Sequence, residues 1–240
     1  MTTPDHGETE QNMGRTVLAI GGHIGDMDLT AGPTLAKMVQ EGDRAIILAC
    51  TYGERGHPTV APEEYRTQKV AEGEAFAAGI GAEFRVLDYS DGFLPDDDSA
   101  AEQIADIIRQ EKPEIVITHW KHSIHRDHER AAILAERARF LASLPVGSPY
   151  GRHGVSQILH ADNWEDAEGF VPNLYVDIPD AAYEAWRAAI QGQAFARGET
   201  YGFRYIDYYS ALMLAKGCLA GTTRACGFVR ANDHAELAGP

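Results

Sequence analysis

Histidine and aspartate side chains are concentrated at two points of the chain, and both residue types bind zinc. The first cluster occupies residues 21–28 (GGHIGDMD), where His23 and Asp26 are three residues apart. An imidazole nitrogen and a carboxylate oxygen are both good ligands for Zn²⁺. The cluster alone also has a plainer interpretation, because Asp26 or Asp28 could simply cap the helix that follows.

The second cluster is a run of histidines at every third position: His119, His122, His125 and His128. Steps of three on a continuous helix would rotate these side chains off one face. We therefore predict a loop that carries the first three and a helix with His128 in its first turn. Asp127 could cap that helix, where a carboxylate also favours the helix dipole. The alternative is a set of polar histidines in a solvated loop.

Both clusters directly follow short apolar runs that are typical of buried strands. Such strands are predicted at residues 16–21, 44–50, 83–87 and 114–118, with helical segments between them. This alternation predicts an α/β fold in which a mostly parallel sheet has helices on both faces. Ligands bind outside the carboxyl ends of the strands in such sheets. His23, Asp26 and His128 would then meet there and leave an open position, as in a catalytic zinc site.

The rest of the chain predicts two further strands (156–161 and 173–178) and two further helices (180–196 and 205–215), while the last dozen residues are uninformative. Residues 1–14 are polar and acidic and are predicted to be a disordered tail. We predict one domain over residues 15–240, since no linker or internal repeat interrupts it.

Composition excludes some classes of partner. The chain has 21 basic and 36 acidic residues, a net charge of −15. This charge argues against nucleic acid or an anionic membrane as a partner, and it discourages a highly anionic substrate. No window is apolar enough to cross a membrane, and no signal peptide is apparent. The three cysteines are widely separated, which indicates a reducing, cytoplasmic environment.

The two motifs together resemble the LmbE/PIG-L-like zinc-dependent N-deacetylases. The matching features are His-x-x-Asp after the first strand and His-x-Asp-His about a hundred residues later. The loop Tyr52-Gly53-Glu54 and the segment NLYVDI also fit, so the resemblance covers roughly residues 15–195. It implies a Rossmann-like three-layer α/β/α fold, one Zn²⁺ per chain and a homo-oligomer. It also implies removal of an acetyl group from an amino sugar or its conjugate.

The resemblance also assigns roles by position. His23, Asp26 and His128 match the zinc ligands. His125 matches a histidine that stabilises the oxyanion as an imidazolium, with Asp127 as its orienting partner. Arg66 and Lys69 lie where the family has a substrate-binding arginine, and their spacing to Gly81 favours Lys69.

One departure from the family pattern concerns the general base. The usual motif is His-Pro-Asp-Asp, and its first aspartate accepts the proton, whereas this chain has Ile24 and Gly25 at those positions. Asp28 is the nearest replacement, and the space left by a missing Cβ at Gly25 could admit its carboxylate. A helix-capping role for Asp28 is an equally good interpretation.

Trp120 and Lys121, beside the histidines, could offer the substrate a stacking surface and a positive charge. A packed indole and a solvated lysine are the more ordinary roles. We therefore expect a zinc-dependent hydrolase that removes an N-acyl group from an amino sugar or sugar-like amine. The rivals are a metal-binding pseudoenzyme that has lost its base, and a nucleotide-binding module. The last is disfavoured because no GxGxxG follows the first strand.

Overall fold

Seven strands form one sheet in the computed structural model, which describes residues 14–145, 148–166 and 168–231. The order across the sheet is β3-β2-β1-β4-β5-β7-β6. The first five strands of this order are parallel, and β7 is antiparallel to both of its neighbours. The strands are β1 Thr16–His23, β2 Arg44–Thr51, β3 Glu83–Tyr89, β4 Ile115–Thr118, β5 Gln157–Ala161, β6 Leu174–Asp177 and β7 Ala225–Arg230.

Helices cover both faces of this sheet. They are α1 Asp26–Thr30, α2 Gly32–Gln40, α3 Pro62–Ile80, α4 Asp98–Glu111, α5 Arg126–Ser143, α6 Asp180–Ile190 and α7 Tyr205–Ala220. Successive residues of β1 point to opposite faces of the sheet, so they pack into two different hydrophobic cores. Val17 packs with α2, α3, α6 and α7, whereas Leu18 packs with α4 and α5. The predicted three-layer α/β/α fold with a mostly parallel sheet is confirmed.

Some predicted elements differ from the observed ones. Strand β7 was not predicted, because its six residues (ACGFVR) follow α7 closely and show no clear alternation. Helix α6 ends at Ile190, six residues before the predicted end. The predicted tail at residues 1–14 lies outside the described residues except for Gly14, so its disorder stays a prediction. Within the described ranges, no helix is long and apolar enough to cross a bilayer.

The pairing of β1 with β4 determines where the site forms. These strands are parallel neighbours at the centre of the sheet, with Ile20 opposite Thr118. Their carboxyl ends therefore lie at the same edge, and the two loops that follow them lie side by side. The predicted proximity of the first and fourth strands is observed.

Candidate active site

The structure brings the three predicted zinc ligands together. His23 is the last residue of β1, Asp26 is the first of α1, and His128 lies in the first turn of α5. One carboxylate oxygen, Asp26 Oδ2, lies 3.2 Å from His23 Nδ1 and 3.3 Å from His128 Nε2. Two imidazoles from separate motifs thus converge on one carboxylate.

Further carboxylates contact the opposite ring nitrogens of both histidines. His128 Nδ1 lies 3.3 Å from Asp166 Oδ1. His23 Nε2 lies 3.1 Å from Asp91 Oδ1 and 3.4 Å from Asp127 Oδ2. Histidines that bind metals usually have such a partner on the second nitrogen, since it fixes the tautomer and the ring orientation. The surroundings of His23 and His128 therefore suit ligation.

His119 and Asp166 are cluster members to which sequence reasoning gave no role. His119 is buried, with Nε2 3.0 Å from Asp26 Oδ2 and Nδ1 3.1 Å from Asp166 Oδ2. Its ring stacks on that of His128 at 4.0 Å between centroids. Asp166 lies in a 3₁₀ turn, Trp164–Asp166, shortly after β5. Its place beyond a predicted strand of a parallel sheet was the signal that could have identified it.

The donor atoms fit a metal ion. Three overlapping groups have donors within 4.8 Å of one another: His23 with His125 and His128, Asp26 with His119 and His128, and His23 with Asp91 and Asp127. Imidazole nitrogens and carboxylate oxygens are the donors that Zn²⁺ takes in proteins, so the chemistry of this donor set fits the ion.

The electrostatics of the cluster also favour positive charge. Burial lowers the pKa of His128, but Asp26 and Asp166 outweigh that effect and raise it to about 9. Burial opposes ionisation of Asp26 as well, yet His128 and His23 hold its pKa well below the usual value. The carboxylates therefore stabilise positive charge at this point, whether protons or a metal cation carry it.

His125 and Asp127 do not form the pair that the resemblance implied. His125 is the N-cap of α5, so Asp127 is not, and His125 Nδ1 accepts the Asp127 backbone N–H at 3.3 Å. The Asp127 carboxylate instead accepts backbone N–H groups of Gly92 and Leu94 and faces His23. Burial lowers the pKa of His125, and the nearby charges of His23 and His128 lower it further. The lowered pKa disfavours the imidazolium that the resemblance implied, and the role of His125 at the oxyanion stays a prediction.

A cavity of about 340 Å³ opens beside the cluster. We call one side the histidine wall, formed by His23, Asp26, His125 and His128. We call another side the lysine wall, formed by Lys69 and Phe195. Other aromatic and polar side chains also line it: Trp164, Tyr201, Tyr205, Tyr209, Asp91, Asn163, Glu165 and Thr30. The rest of the lining is formed by Ile24, Leu29, Gly53 and Gly56. The volume is at the small end of the range for ligand pockets.

Phe195 fills the space that the sequence left open at Gly25. The backbone of Gly25 has φ +106°, and a Cβ there would lie 2.4 Å from Phe195 Cζ and 3.2 Å from Lys69 Nζ. An aspartate at position 25 would overlap the phenyl ring. The expectation that the gap admits the Asp28 carboxylate is therefore wrong, because a ring from a distant segment occupies it.

Asp28 lies outside the cavity lining. It is 1% exposed, and its Oδ2 accepts a hydrogen bond from Gln193 Nε2. Burial raises the pKa of this carboxyl group to about 7. The structure does not bring Asp28 to the histidine wall, so the geometry does not support it as the base, although that role stays an untested prediction.

Glu165 is a cavity carboxylate that sequence reasoning missed. Its Oε2 lies 3.5 Å from His128 Nδ1, and burial raises its pKa. The other added carboxylate of the lining, Asp91, already accepts the Arg55 backbone N–H and contacts His23. Glu165 is therefore the less engaged of the two.

Of the four predicted substrate-binding residues, the structure places only Lys69 in the cavity. Arg66 donates to Tyr52 Oη and to Asp88 outside it. The Trp120 indole N–H donates to the Glu168 carbonyl oxygen at 2.9 Å. Lys121 pairs with Glu136 at 3.2 Å. The packed indole and the ion-paired lysine match the ordinary alternatives, since neither residue lines the cavity.

Similar proteins include both deacetylases and hydratases. The chain is 26% identical over 228 residues to the 4-oxalmesaconate hydratase of Pseudomonas putida, a match covering 90% of this chain and 86% of that protein. It is 26% identical over 221 residues to the diacetylchitobiose deacetylase of Thermococcus kodakarensis, covering 80% and 81%. The crystal structure of the 4-carboxy-2-hydroxymuconate hydratase of P. putida superposes with a TM-score of 0.84 at 20% identity, covering 94% of this chain and 99% of that one.

The family profile described as PIG-L, GlcNAc-PI de-N-acetylase, matches residues 18–139. This span begins in β1 and ends within α5, so it includes both the His23–Asp26 motif and the His125–His128 motif. The sequence match and the shared fold agree, and the chain belongs to the PIG-L family.

Proposed function

We propose that the chain is a zinc-dependent hydrolase that removes an N-acyl group, such as acetyl, from an amino sugar or sugar-like amine. The observation that carries the proposal is the convergence of His23 and His128 on Asp26 Oδ2, at the edge of a cavity. Family membership and the deacetylase relatives support the reaction type.

His23, Asp26 and His128 would hold the metal. The chemistry that zinc supplies in such sites is polarisation of the acyl oxygen and a lower pKa of water. Asp166 would position His128, since it contacts the nitrogen that faces away from Asp26. The stacked His119 is held by the same carboxylate, which restricts both rings.

Glu165 would accept the proton of the attacking water and pass it to the leaving amine. The water oxygen bonds to the acyl carbon and the C–N bond breaks, so acetate and a free amine result. The Nε2–H of His125 would donate to the acyl oxygen as negative charge develops there, because its Nδ1 is already an acceptor. Proton transfer then needs no residue at position 25.

The direct test is release of amine and acetate by the zinc-loaded protein from a panel of N-acetylated amines that includes N,N′-diacetylchitobiose, N-acetylglucosamine conjugates and N-acetylglycine. We expect turnover of at least one of them in the wild type and of none in His128→Ala. Full metal occupancy without release of amine from any N-acyl substrate would contradict the proposal. That outcome would instead favour the rival metal-binding pseudoenzyme.

Hydration of a carbon–carbon double bond is a second candidate. Two observations favour it. The match to the hydratase of P. putida covers 90% of this chain, and Gly25 stands where the deacetylase motif has an aspartate. The water oxygen would bond to one alkene carbon, and a proton would reach the other. Loss of the ultraviolet absorbance of a conjugated acid, without amine release, would distinguish hydration from deacylation.

Three further expectations remain part of this proposal: zinc as the native metal, a homo-oligomer and a cytoplasmic location. Metal analysis of protein purified without added metal tests the first. Light scattering of the purified chain tests the second, with a monomer at micromolar concentration as the contrary result. Microscopy of a tagged chain tests the third.

A further inference from the structure

A buried cation in the cavity lacks an anionic partner. Lys69 comes from the middle of α3, is 5% exposed and lines the cavity. Its Nζ lies 3.9 Å from the centroid of the Phe195 ring. Among the residues that the structure describes, no carboxylate oxygen lies within 4.0 Å of this ammonium group. Buried charges are normally paired, so the arrangement is incomplete by itself.

The acids nearest to Lys69 are engaged elsewhere. Asp28 accepts from Gln193, and Glu72 Oε1 accepts from the Gln68 side chain and the Ala194 backbone. Two others, Asp26 and Asp91, face His23. Burial lowers the pKa of Lys69, and these four acids oppose that effect only at longer range. None of these four acids forms an ion pair with the Lys69 ammonium group within the described structure.

Phe195 and Gly25 determine where the ammonium group lies. The phenyl ring offers a cation–π contact, which compensates only part of the cost of burial. The bare backbone of Gly25 lets Lys69 Nζ approach within 3.2 Å of the position that a Cβ would occupy. The ammonium group of Lys69 therefore lies close to the backbone of Gly25, the residue before Asp26, and beside the histidine wall.

We propose that Lys69 binds a carboxylate group of the substrate, so that the enzyme acts on a small organic acid. This inference rests on the proposed function, since it takes the cavity as the active site and names an acidic group on its substrate. For deacylation the substrate would be an N-acylated amine that bears a carboxylate. For hydration it would be an unsaturated acid.

A monoanionic group fits this site better than a phosphate dianion. Lys69 is the only lysine or arginine in the described cavity lining, and Asp91 and Glu165 line the same space. A carboxylate matches one ammonium group, whereas a phosphate normally recruits several donors. The small cavity and the net charge of −15 also disfavour a large polyanion.

The test measures binding of fumarate and of its neutral analogue fumaramide to the zinc-loaded protein, by calorimetry or ligand-observed NMR. We expect Lys69→Met and Lys69→Gln each to weaken fumarate about ten-fold or more, as loss of a charge-assisted hydrogen bond requires. Fumaramide affinity should change less than about two-fold by the same argument. Lys37→Met is the matched control, because Lys37 pairs with Glu41 on α2.

Any of three results would overturn the proposal. The first is a fumarate affinity that is unchanged in both neutral variants, and the second is a wild type that binds no fumarate at millimolar concentration. The third is an equal loss for fumarate and fumaramide, which would indicate a general disturbance of the cavity. Amine release from N-acetylglycine, measured in parallel, is a separate readout. No amine release from N-acetylglycine or from any other N-acyl substrate, together with a Lys69-dependent fumarate affinity, would refute deacylation and leave the carboxylate site standing.

Discussion

The histidine wall and the lysine wall face the same cavity but are built differently. On the histidine wall, His23 and His128 contact carboxylates through both ring nitrogens. On the lysine wall, Lys69 has an aromatic face and no ion pair within the described chain. The imidazoles of the first wall are thus balanced by carboxylates, whereas the second wall holds a positive charge without an anion. Under the proposed function, the first wall would bind the metal and the second would bind the substrate.

The largest expected effect is on the histidine wall. His128→Ala should abolish both metal binding and turnover, because two remaining ligands hold an ion poorly. His122→Ala is the control, since His122 is exposed and packs against Trp120. Metal content by mass spectrometry is the measurement. Full occupancy in His128→Ala would contradict the assignment of the wall as the metal site.

The next effect separates the two carboxylates proposed as the base. Glu165→Gln should lower kcat by about 10²–10⁴ with metal content unchanged, the usual contribution of a general base. Asp28→Asn should leave kcat within about three-fold, because Asp28 lies outside the cavity and bonds to Gln193. Steady-state kinetics of both variants measures this. The reverse pattern would restore Asp28 as the base.

The contact of Asp166 with the histidine wall should have a moderate effect. Asp166→Asn should weaken metal affinity about 10–100-fold, as removal of a carboxylate behind a ligating histidine does. Asp162→Asn is its control, because Asp162 pairs with Lys216 at 2.7 Å outside the cavity. Competition with a metal chelator measures both affinities. Equal affinities would show that Asp166 does not position His128.

A side chain at Gly25, which lies against the lysine wall, should lower the stability of the protein. Gly25→Ala should reduce the free energy of unfolding by about 1–3 kcal/mol more than Gly151→Ala, because of overlap with Phe195. Both glycines have positive φ, but a Cβ at Gly151 meets no atom within 4 Å, so it isolates backbone strain. Denaturant unfolding measures the difference. An excess that persists in a Phe195→Ala background would mean that the ring does not fill this space.

The smallest effect concerns Lys121. Lys121→Met should leave kcat/KM within about two-fold, since exposed ion pairs such as that with Glu136 contribute little. The comparison with Lys69→Met tests whether position in the cavity, and not lysine as such, determines substrate binding. A large loss in Lys121→Met would indicate that the active site extends beyond the described cavity.

The sequence by itself determined the parallel sheet and the meeting of His23, Asp26 and His128. The physical reason is local: each motif directly follows a buried strand, and parallel strands present their carboxyl ends at one edge. Short-range spacing therefore implied a long-range contact. Strand β7 was not predicted, because its six residues show no clear alternation of polar and apolar side chains. It forms a strand because it pairs with β5 and β6, which are distant from it in sequence.

Only the tertiary structure decided which other groups surround the histidine wall and line the cavity. Asp166, Glu165 and Phe195 come from segments remote in sequence from the two motifs, and no periodicity points them at the cavity. Asp28 shows the same limit. Its proximity in sequence to Asp26 suggested a base, but the α1 helix directs it to Gln193, because successive residues of a helix point about 100° apart.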